Sequence, residues 1–199
     1  EKNIIAEKIS TQIKNIKPKK PALKILDAGL GDGTLLMSVL RSCHREFPTI
    51  PFLVFGKEIS MEDVRMSVEK LPDRFVEHPN MVFVVSNLYY AEAASLTSSN
   101  ADKQKRLNWE TFKLYGNSSF EFSQQLSQLD EMLHNNWQVE RHHKSGNPIY
   151  KLPSVLVIYR HDHEFGLDHI IPQHDGPKNY FDLIIASQPY RSRISVQKK

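Results

Sequence analysis

Cysteine is almost absent from this chain, because Cys43 is the only one in 199 residues. A single thiol excludes an internal disulfide framework and any metal site built from several cysteines. Cys43 lies on the apolar side of a helical pattern, which predicts a buried thiol rather than a nucleophile. A chain without disulfides fits a reducing compartment, and we expect a cytoplasmic location.

Long apolar runs are missing as well. Runs such as residues 52–55 and 81–85 fall far short of the roughly 18 residues that suggest a membrane helix. The lysine-rich first twenty residues contain no apolar segment of the signal-peptide type. The net charge is also small, because 26 basic and 23 acidic residues give +3. We therefore expect no membrane partner, while the charge permits an anionic partner without indicating one.

Of the residues in the chain, 40% are hydrophobic and 10% are aromatic. This content is enough to form the core of a single domain over residues 1–199. An isoleucine stripe predicts a helix over residues 1–16, and prolines and lysines form a connector up to residue 22. Strand-like and helical patterns then alternate, with strands expected at 23–28, 52–55 and 81–85 and helices at 34–47 and 60–71. This alternation is typical of an α/β fold with a parallel sheet and right-handed crossovers.

The alternation stops near residue 96. Residues 120–137 have the pattern of an amphipathic helix, and residues 155–159 and 167–171 are expected to form a β-hairpin. A strand of the earlier type returns at residues 181–186. We expect residues 97–178 to be an insertion of a helix plus a β-hairpin between the third and fourth strands, followed by the fourth strand and its loop in residues 179–199. Because so few residues follow the fourth strand, the C-terminal strands that complete such sheets are expected to be absent from this chain.

The strongest motif follows the first strand directly and opens a helix. Glycines alternate behind an acid, so the backbone can turn sharply and approach a ligand while the helix presents unpaired N–H groups. The motif consists of Asp27, Ala28, Gly29, Leu30, Gly31, Asp32, Gly33 and Thr34. A dinucleotide site prefers Gly-x-Gly-x-x-Gly, which puts a glycine where this chain has Thr34. Carboxylates in the loop repel a pyrophosphate but suit a ligand with an ammonium and a sulfonium group, namely S-adenosylmethionine.

This motif resembles the first motif of the class I, Rossmann-like S-adenosylmethionine-dependent methyltransferases. The resemblance implies a Rossmann-like sheet flanked by helices, with residues 23–96 as the cofactor-binding half. It also implies S-adenosylmethionine as the cofactor, with the acid and glycines of residues 27–34 around its methionine part. The family has an acid after the second strand that holds the ribose hydroxyls, and Glu58 is in that position. It often has a polar residue near the adenine after the third strand, where this chain has Asn87. A solvated charge is the alternative for Glu58, and a turn residue for Asn87.

A further motif after the fourth strand concerns the reaction. It resembles the Asp/Asn/Ser-Pro-Pro-Tyr motif of methyltransferases that act on planar amines or amides, and it consists here of Ser187, Gln188, Pro189 and Tyr190. Gln188 replaces the first proline of the family motif. The resemblance implies that the first side chain and the next carbonyl accept hydrogen bonds from the target nitrogen, while the aromatic ring stacks on the substrate. We therefore expect methyl transfer to nitrogen with these four as catalytic residues, and a simple polar loop is the alternative.

The other features of the sequence do not indicate whether the methyl acceptor is a nucleobase, a protein side chain or a small metabolite. Histidines and acids cluster between residues 161 and 175, but without the fixed spacing of a metal site, so a polar rim is expected and no metal. Basic residues in the tail from 191 onward are most simply solvated, with a nucleic-acid surface as the alternative. Two rival functions remain: a non-catalytic methyltransferase-like module and a dinucleotide-binding oxidoreductase.

Overall fold

The computed structural model of the chain describes residues 2–187, with side chains described from Ile4 onward. Its strands are β1 (Leu23–Asp27), β2 (Phe52–Lys57), β3 (Met81–Ser86), β4 (Asn108–Leu114), β5 (Val139–Arg141), β6 (Pro148–Tyr150), β7 (Ser154–Arg160) and β8 (Leu183–Ile185). Its α-helices are α1 (Lys2–Ile13), α2 (Thr34–Glu46), α3 (Met61–Val68), α4 (Pro72–Glu77), α5 (Tyr90–Ala93), α6 (Ala101–Gln104), α7 (Ser119–Leu126), α8 (Asp130–Asn136) and α9 (Glu164–Leu167).

Six of these strands form a mostly parallel sheet in the order β4-β7-β3-β2-β1-β8. The only antiparallel neighbours in this described sheet are β3 and β7. From β1 the chain proceeds through β2 to β3 on one side, and it later returns to the other side of β1 as β8. The carboxyl end of β1 is therefore a topological switch point, where open α/β sheets form a ligand crevice.

The central strands of the sheet are rich in apolar residues because helices and loops cover both faces of the sheet. In β2, Phe52 and Val54 pack into one core cluster, while Leu53 and Phe55 pack into the cluster on the opposite face. The first cluster contains the apolar sides of α1, α2, α3 and α7, and the second is closed by shorter helices and loops. A strand that is buried on both faces is apolar without alternation, as residues 81–85 of β3 are.

The helices predicted in the first half of the chain are confirmed. Helix α2 buries the expected stripe, including Leu36, Val39 and Cys43, and burial raises the pKa of the Cys43 thiol to about 12. A thiol with so high a pKa stays protonated, so it is a packing group as predicted. In α1 the isoleucine stripe begins at Ile5, whereas Ile4 is 59% exposed.

The β-hairpin predicted at residues 155–159 and 167–171 is wrong. Residues 154–160 form β7, which lies inside the main sheet between β3 and β4, and every residue of β7 is buried. The expected second strand instead comprises the end of α9 and the turns after it. A strand that is buried along its whole length needs a neighbour on each side, and a hairpin at the rim cannot provide both.

Two further elements between β3 and β8 differ from the sequence prediction. Strand β4 is not predicted from the sequence, because it is half exposed as an edge strand of the sheet and its polar residues mask the strand pattern. A hairpin does occur, but it pairs β5 with β6 in a separate two-stranded sheet. The helix predicted at residues 120–137 is confirmed as α7, a 3-10 turn over Ser127–Leu129, and α8.

The strand predicted at residues 181–186 is present as β8, but it is less buried than expected. Among the described residues it pairs only with β1, and Ile184 is 60% exposed. No helix in residues 2–187 has the length and apolar character needed to cross a membrane.

Candidate functional site

The predicted site residues of the described part meet at one edge of the sheet. Asp27 ends β1, Glu58 and Asn87 directly follow β2 and β3, and Ser187 follows β8 by two residues. The carboxyl ends of parallel strands lie at the same edge, and neighbouring strands are about 4.8 Å apart. The order of strands places Asp27 between Glu58 and Ser187, at the switch point of the sheet.

The glycine loop after β1 is held down on the end of β2. The Leu30 side chain is buried against Gly56, where an added Cβ would lie 2.8 Å from Leu30 Cδ2. The Leu30 N–H donates to the Lys57 carbonyl at 3.1 Å, and the Ala28 N–H donates to the Ile185 carbonyl at 2.9 Å. The contact of Gly56 with Leu30 of the loop motif is not predicted from the sequence, although a glycine near the end of an apolar strand indicates a close approach of this kind.

The surroundings of the two loop glycines Gly31 and Gly33 differ, so a side chain would have a different effect at each position. Gly31 and Gly33 both have positive φ, 52° and 74°. A Cβ on Gly31 would meet no atom of the described residues within 4 Å, so in this part of the structure the surface above it is open to a ligand. A Cβ on Gly33 would lie 2.8 Å from Ser67 Oγ, so this glycine allows α2 and α3 to pack closely.

Asp27 has a buried carboxylate that is only partly hydrogen-bonded. Its Oδ1 accepts a hydrogen bond from the Gly29 N–H at 3.2 Å, while Oδ2 is buried and has no hydrogen-bond partner among residues 2–187. Burial is the main reason why the pKa of Asp27 rises from 3.8 to about 6, and the charge of Glu58 adds to the rise. An unpaired buried acceptor is costly, so a donor or cation brought by a ligand would be stabilised here.

Glu58 is not a solvated charge, and that alternative is corrected. Its Oε2 accepts from the Gly31 N–H at 2.9 Å, and its Oε1 accepts from the N–H groups of Ile59 and Ser60 at 2.8 and 2.9 Å. Trp137 Nε1 donates to the Glu58 carbonyl at 3.0 Å, a contact that nothing local in the sequence indicates. Glu58 thus orders the glycine loop. A carboxylate has about four acceptor sites, so three N–H bonds leave room for one further donor.

Asp32 and Thr34 belong to the start of α2. The Asp32 carboxylate accepts from the Thr34 N–H at 3.2 Å and from the Thr34 hydroxyl at 2.9 Å. Lys70 donates to the Asp32 carbonyl at 2.6 Å and lies 3.4 Å from its Oδ2. The Asp32 carboxylate thus caps the first N–H of α2, and the Thr34 hydroxyl donates to that carboxylate. The contact to a cofactor that the motif predicts for both residues stays a prediction.

Asn87 ties β3 to the beginning of β7. Its Nδ2 donates to the Leu152 carbonyl at 2.9 Å, and its Oδ1 accepts from the Ser154 N–H at 2.8 Å. The side chain is buried and both ends of its amide are engaged within the protein. This geometry favours the structural alternative over the predicted contact with an adenine.

Neither a protein-family model nor a curated protein sequence matches this chain significantly. A function for the chain is therefore supported by the geometry of the site alone.

The remaining predicted residues are only partly described. Ser187 is exposed in a bend after β8, whereas Gln188, Pro189 and Tyr190 lie outside the described residues. Within residues 2–187 no three His, Cys, Asp or Glu side chains are grouped closely enough to hold a metal ion. The predicted histidine rim is occupied by other contacts: His163 Nδ1 lies 2.7 Å from Asn80 Oδ1, and His161 Nδ1 lies 3.3 Å from Glu164 Oε2.

Proposed function

We propose that this chain is an S-adenosylmethionine-dependent methyltransferase domain that transfers a methyl group to nitrogen. The observation that carries the proposal is the buried Oδ2 of Asp27 at the switch point of the sheet, which has no partner within residues 2–187 and lies beside a glycine loop that these residues leave open above Gly31. The sheet order β3-β2-β1-β8 is consistent with a Rossmann-like arrangement, with an insertion between its third and fourth strands.

The charge of the site favours S-adenosylmethionine over a dinucleotide. Asp27 and Glu58 interact electrostatically, and the negative potential of this pair repels a pyrophosphate. The same potential attracts an ammonium or a sulfonium. Asp27 is therefore the residue to hold the cationic methionine part, together with the backbone of the glycine loop, and Glu58 has one acceptor site left for a ribose hydroxyl.

The chemistry of the reaction places modest demands on the protein. Bound S-adenosylmethionine would supply an electrophilic methyl group on sulfur and would leave as the neutral thioether, and the acceptor nitrogen would release its proton to water. The residues of the chain have to orient the acceptor nitrogen for in-line attack, which is a matter of alignment rather than strong base catalysis. Ser187 is the described residue from the predicted amine motif, and it follows by two residues β8, the strand that pairs with β1 and so with Asp27.

Calorimetric titration with S-adenosylmethionine, S-adenosylhomocysteine and NAD tests the proposal. We expect the first two ligands to bind and NAD not to bind. Gly31→Leu should abolish binding, because the side chain would fill the open surface above the loop. Gly146→Leu is a matched control, since Gly146 also has a positive φ and no atom within 4 Å of an added Cβ. Unchanged affinity in a folded Gly31→Leu variant, or binding of NAD in preference, would contradict the proposal.

A further inference from the structure

A basic pocket lies at the same edge of the sheet as the proposed cofactor site. Its volume is about 360 Å³, and its lining contains Lys103, Arg106 and Lys151 with a single acid, Glu140. The rest of the lining is amide side chains and backbone, from Asn135, Asn136, Gln138 and Leu152. Cations and amides together suit a ligand that has both negative charge and hydrogen-bonding edges.

The basic pocket is joined rigidly to the candidate site. The Leu152 carbonyl accepts from Asn87 Nδ2 at 2.9 Å, and the Asn136 carbonyl accepts from the Ser154 hydroxyl at 2.8 Å. These bonds place the pocket where β3 ends and β7 begins. The next residue in the chain, Trp137, donates to the Glu58 carbonyl. The pocket and the glycine loop are thus parts of one packed edge.

The charge of the basic pocket is not balanced within the described part of the chain. Glu140 lies 3.6 Å from Lys103, whose Nζ also donates to the Tyr150 carbonyl. Arg106 has no acidic partner among residues 2–187, and the partner of Lys151 is the neutral Gln138 at 3.3 Å. Residues 101–106 and 138–151 together contain six basic and two acidic side chains, whereas the whole chain has a net charge of +3. Positive charge is therefore concentrated here.

Exposed aromatic rings lie between the basic pocket and the candidate site. Tyr89 and Tyr90 follow β3 closely and are 38% and 58% exposed. Lys57, the last residue of β2, holds its Nζ 4.7 Å from the centre of the Tyr90 ring. Aromatic rings interleaved with cations are typical of surfaces that stack the bases and neutralise the phosphates of a single strand.

The distance along the edge excludes a small acceptor that fills the basic pocket. Between β7 and β8 there are four strand spacings, about 19 Å in total. A single metabolite in the pocket could not also present a nitrogen at Ser187. An extended polymer can contact both places at once.

We propose that the methyl acceptor is a base within a single-stranded nucleic acid, whose phosphates bind the basic pocket and whose bases stack on Tyr89 and Tyr90. This inference rests on the proposed methyltransferase function, because the acceptor is defined by that reaction. It goes beyond that function by assigning the substrate class and a binding track at residues outside the glycine loop.

Fluorescence anisotropy with a labelled 12-nucleotide DNA strand, and with the RNA strand of the same sequence, tests the binding track without cofactor. The double variant R106Q/K151Q should bind at least tenfold more weakly. The slope of log affinity against log salt should fall by about 1.4, since each lost contact to a single strand lowers it by about 0.7. K8Q/K14Q is the charge-matched control at exposed positions on and just after α1, and its affinity should stay within twofold of wild type.

Stacking is tested separately at Tyr90. Tyr90→Ala should weaken binding by about fivefold or more, while Tyr90→Phe, which keeps the ring, should stay within twofold. Equal affinity of wild type and R106Q/K151Q would overturn the proposal. Competition by a 12-residue polyglutamate peptide as strong as that of the DNA strand would also overturn it, because it would indicate a site for any polyanion.

Tritiated S-adenosylmethionine then separates the two proposals. Transfer of label to the strand is the expected result. If the protein binds both the cofactor and the strand but transfers no label, the strand is not the acceptor. If it binds the strand but not the cofactor, the methyltransferase function is wrong and the basic pocket remains a nucleic-acid site.

Discussion

The Asp27 carboxyl is buried, its Oδ2 has no hydrogen-bond partner among residues 2–187, and the same burial raises its pKa to about 6. A carboxylate in such a place destabilises the protein without its ligand and becomes favourable when a cation pairs with it. Perturbed groups of this kind cluster at functional sites. At the scale of the residue, the proposed function therefore predicts how Asp27 affects the stability of the protein as well as its affinity for the cofactor.

Asp27→Asn should stabilise the protein and abolish cofactor binding. The pKa of Asp27 is about 6 in the folded chain and 3.8 in its ordinary state, so the folded form holds its proton more tightly. Its contribution to stability is present below pH 3.8 and is lost as the pH rises through 6. The free energy of unfolding at pH 7.5 should rise in the variant by up to about 2–3 kcal/mol, given 1.36 kcal/mol for each pKa unit.

Urea unfolding of wild type and Asp27→Asn at several pH values between 4 and 7.5 measures this effect. The two curves should converge near pH 4 and separate toward neutral pH. Curves that stay parallel over the whole range would mean that Asp27 is ordinarily solvated and would remove the main support for the site.

At the scale of elements, the contact between the glycine loop and β2 depends on Gly56. Gly56→Ala should destabilise the protein by about 1–3 kcal/mol, because its Cβ would overlap the buried Leu30 side chain. It should also weaken cofactor binding, since the displaced loop carries Gly31. Thermal unfolding and calorimetry of the single variants and of Gly56→Ala/Leu30→Ala check this, and the double variant should lose less than the sum of the two. Strict additivity would show that the two groups do not touch.

Substitution of Asn87 tests whether this residue joins two strands or contacts the cofactor. Asn87→Ala should lower the free energy of unfolding by about 1–3 kcal/mol, because it leaves the Leu152 carbonyl and the Ser154 N–H without partners. Affinity for S-adenosylmethionine, measured below the melting temperature, should change little. A normal melting temperature with strongly reduced affinity would instead restore the adenine contact that the family motif implies.

The features of these elements that can be predicted from the sequence are those that depend on residues close together in the chain. The strands β1 to β3, helix α2 and the Ser60 cap at Asp63 follow from periodicity and neighbouring residues, and the structure contains them. The place of β7 does not follow, since its partners β3 and β4 are distant in the chain and local pattern cannot select them. The contacts of Gly33 with Ser67 and of Asp32 with Lys70 do not follow either, because those partners lie in and after another helix.

At the scale of the whole molecule, two buried groups give opposite dependences of stability on pH. His78 stacks on Phe52 and is buried, and this burial lowers its pKa from 6.5 to about 4. Because the unfolded chain takes up a proton below pH 6.5 and the folded ring does not, this contribution to stability is lost as the pH falls through 4. Asp27 acts in the reverse direction over much of the same range.

We therefore expect Asp27→Asn to be more sensitive to acid than wild type. Between pH 6.5 and 4 the variant should lose stability more steeply, since the opposing contribution of Asp27 is gone while that of His78 remains. Titration of the His78 ring signals by NMR in both proteins provides the control and should give a midpoint near 4 in each. A His78 midpoint near 6.5 would refute the explanation.

The bond from the Trp137 indole to the Glu58 carbonyl makes the candidate site visible to fluorescence spectroscopy. Trp137 is 2% exposed. The second tryptophan, Trp109, lies beside His174 on the edge strand β4, and β7, β3 and β2 separate this strand from β1. A Trp109→Phe protein would emit from Trp137 alone. Movement of the Glu58 backbone would then change the emission, so ligands of this edge could be screened without any label.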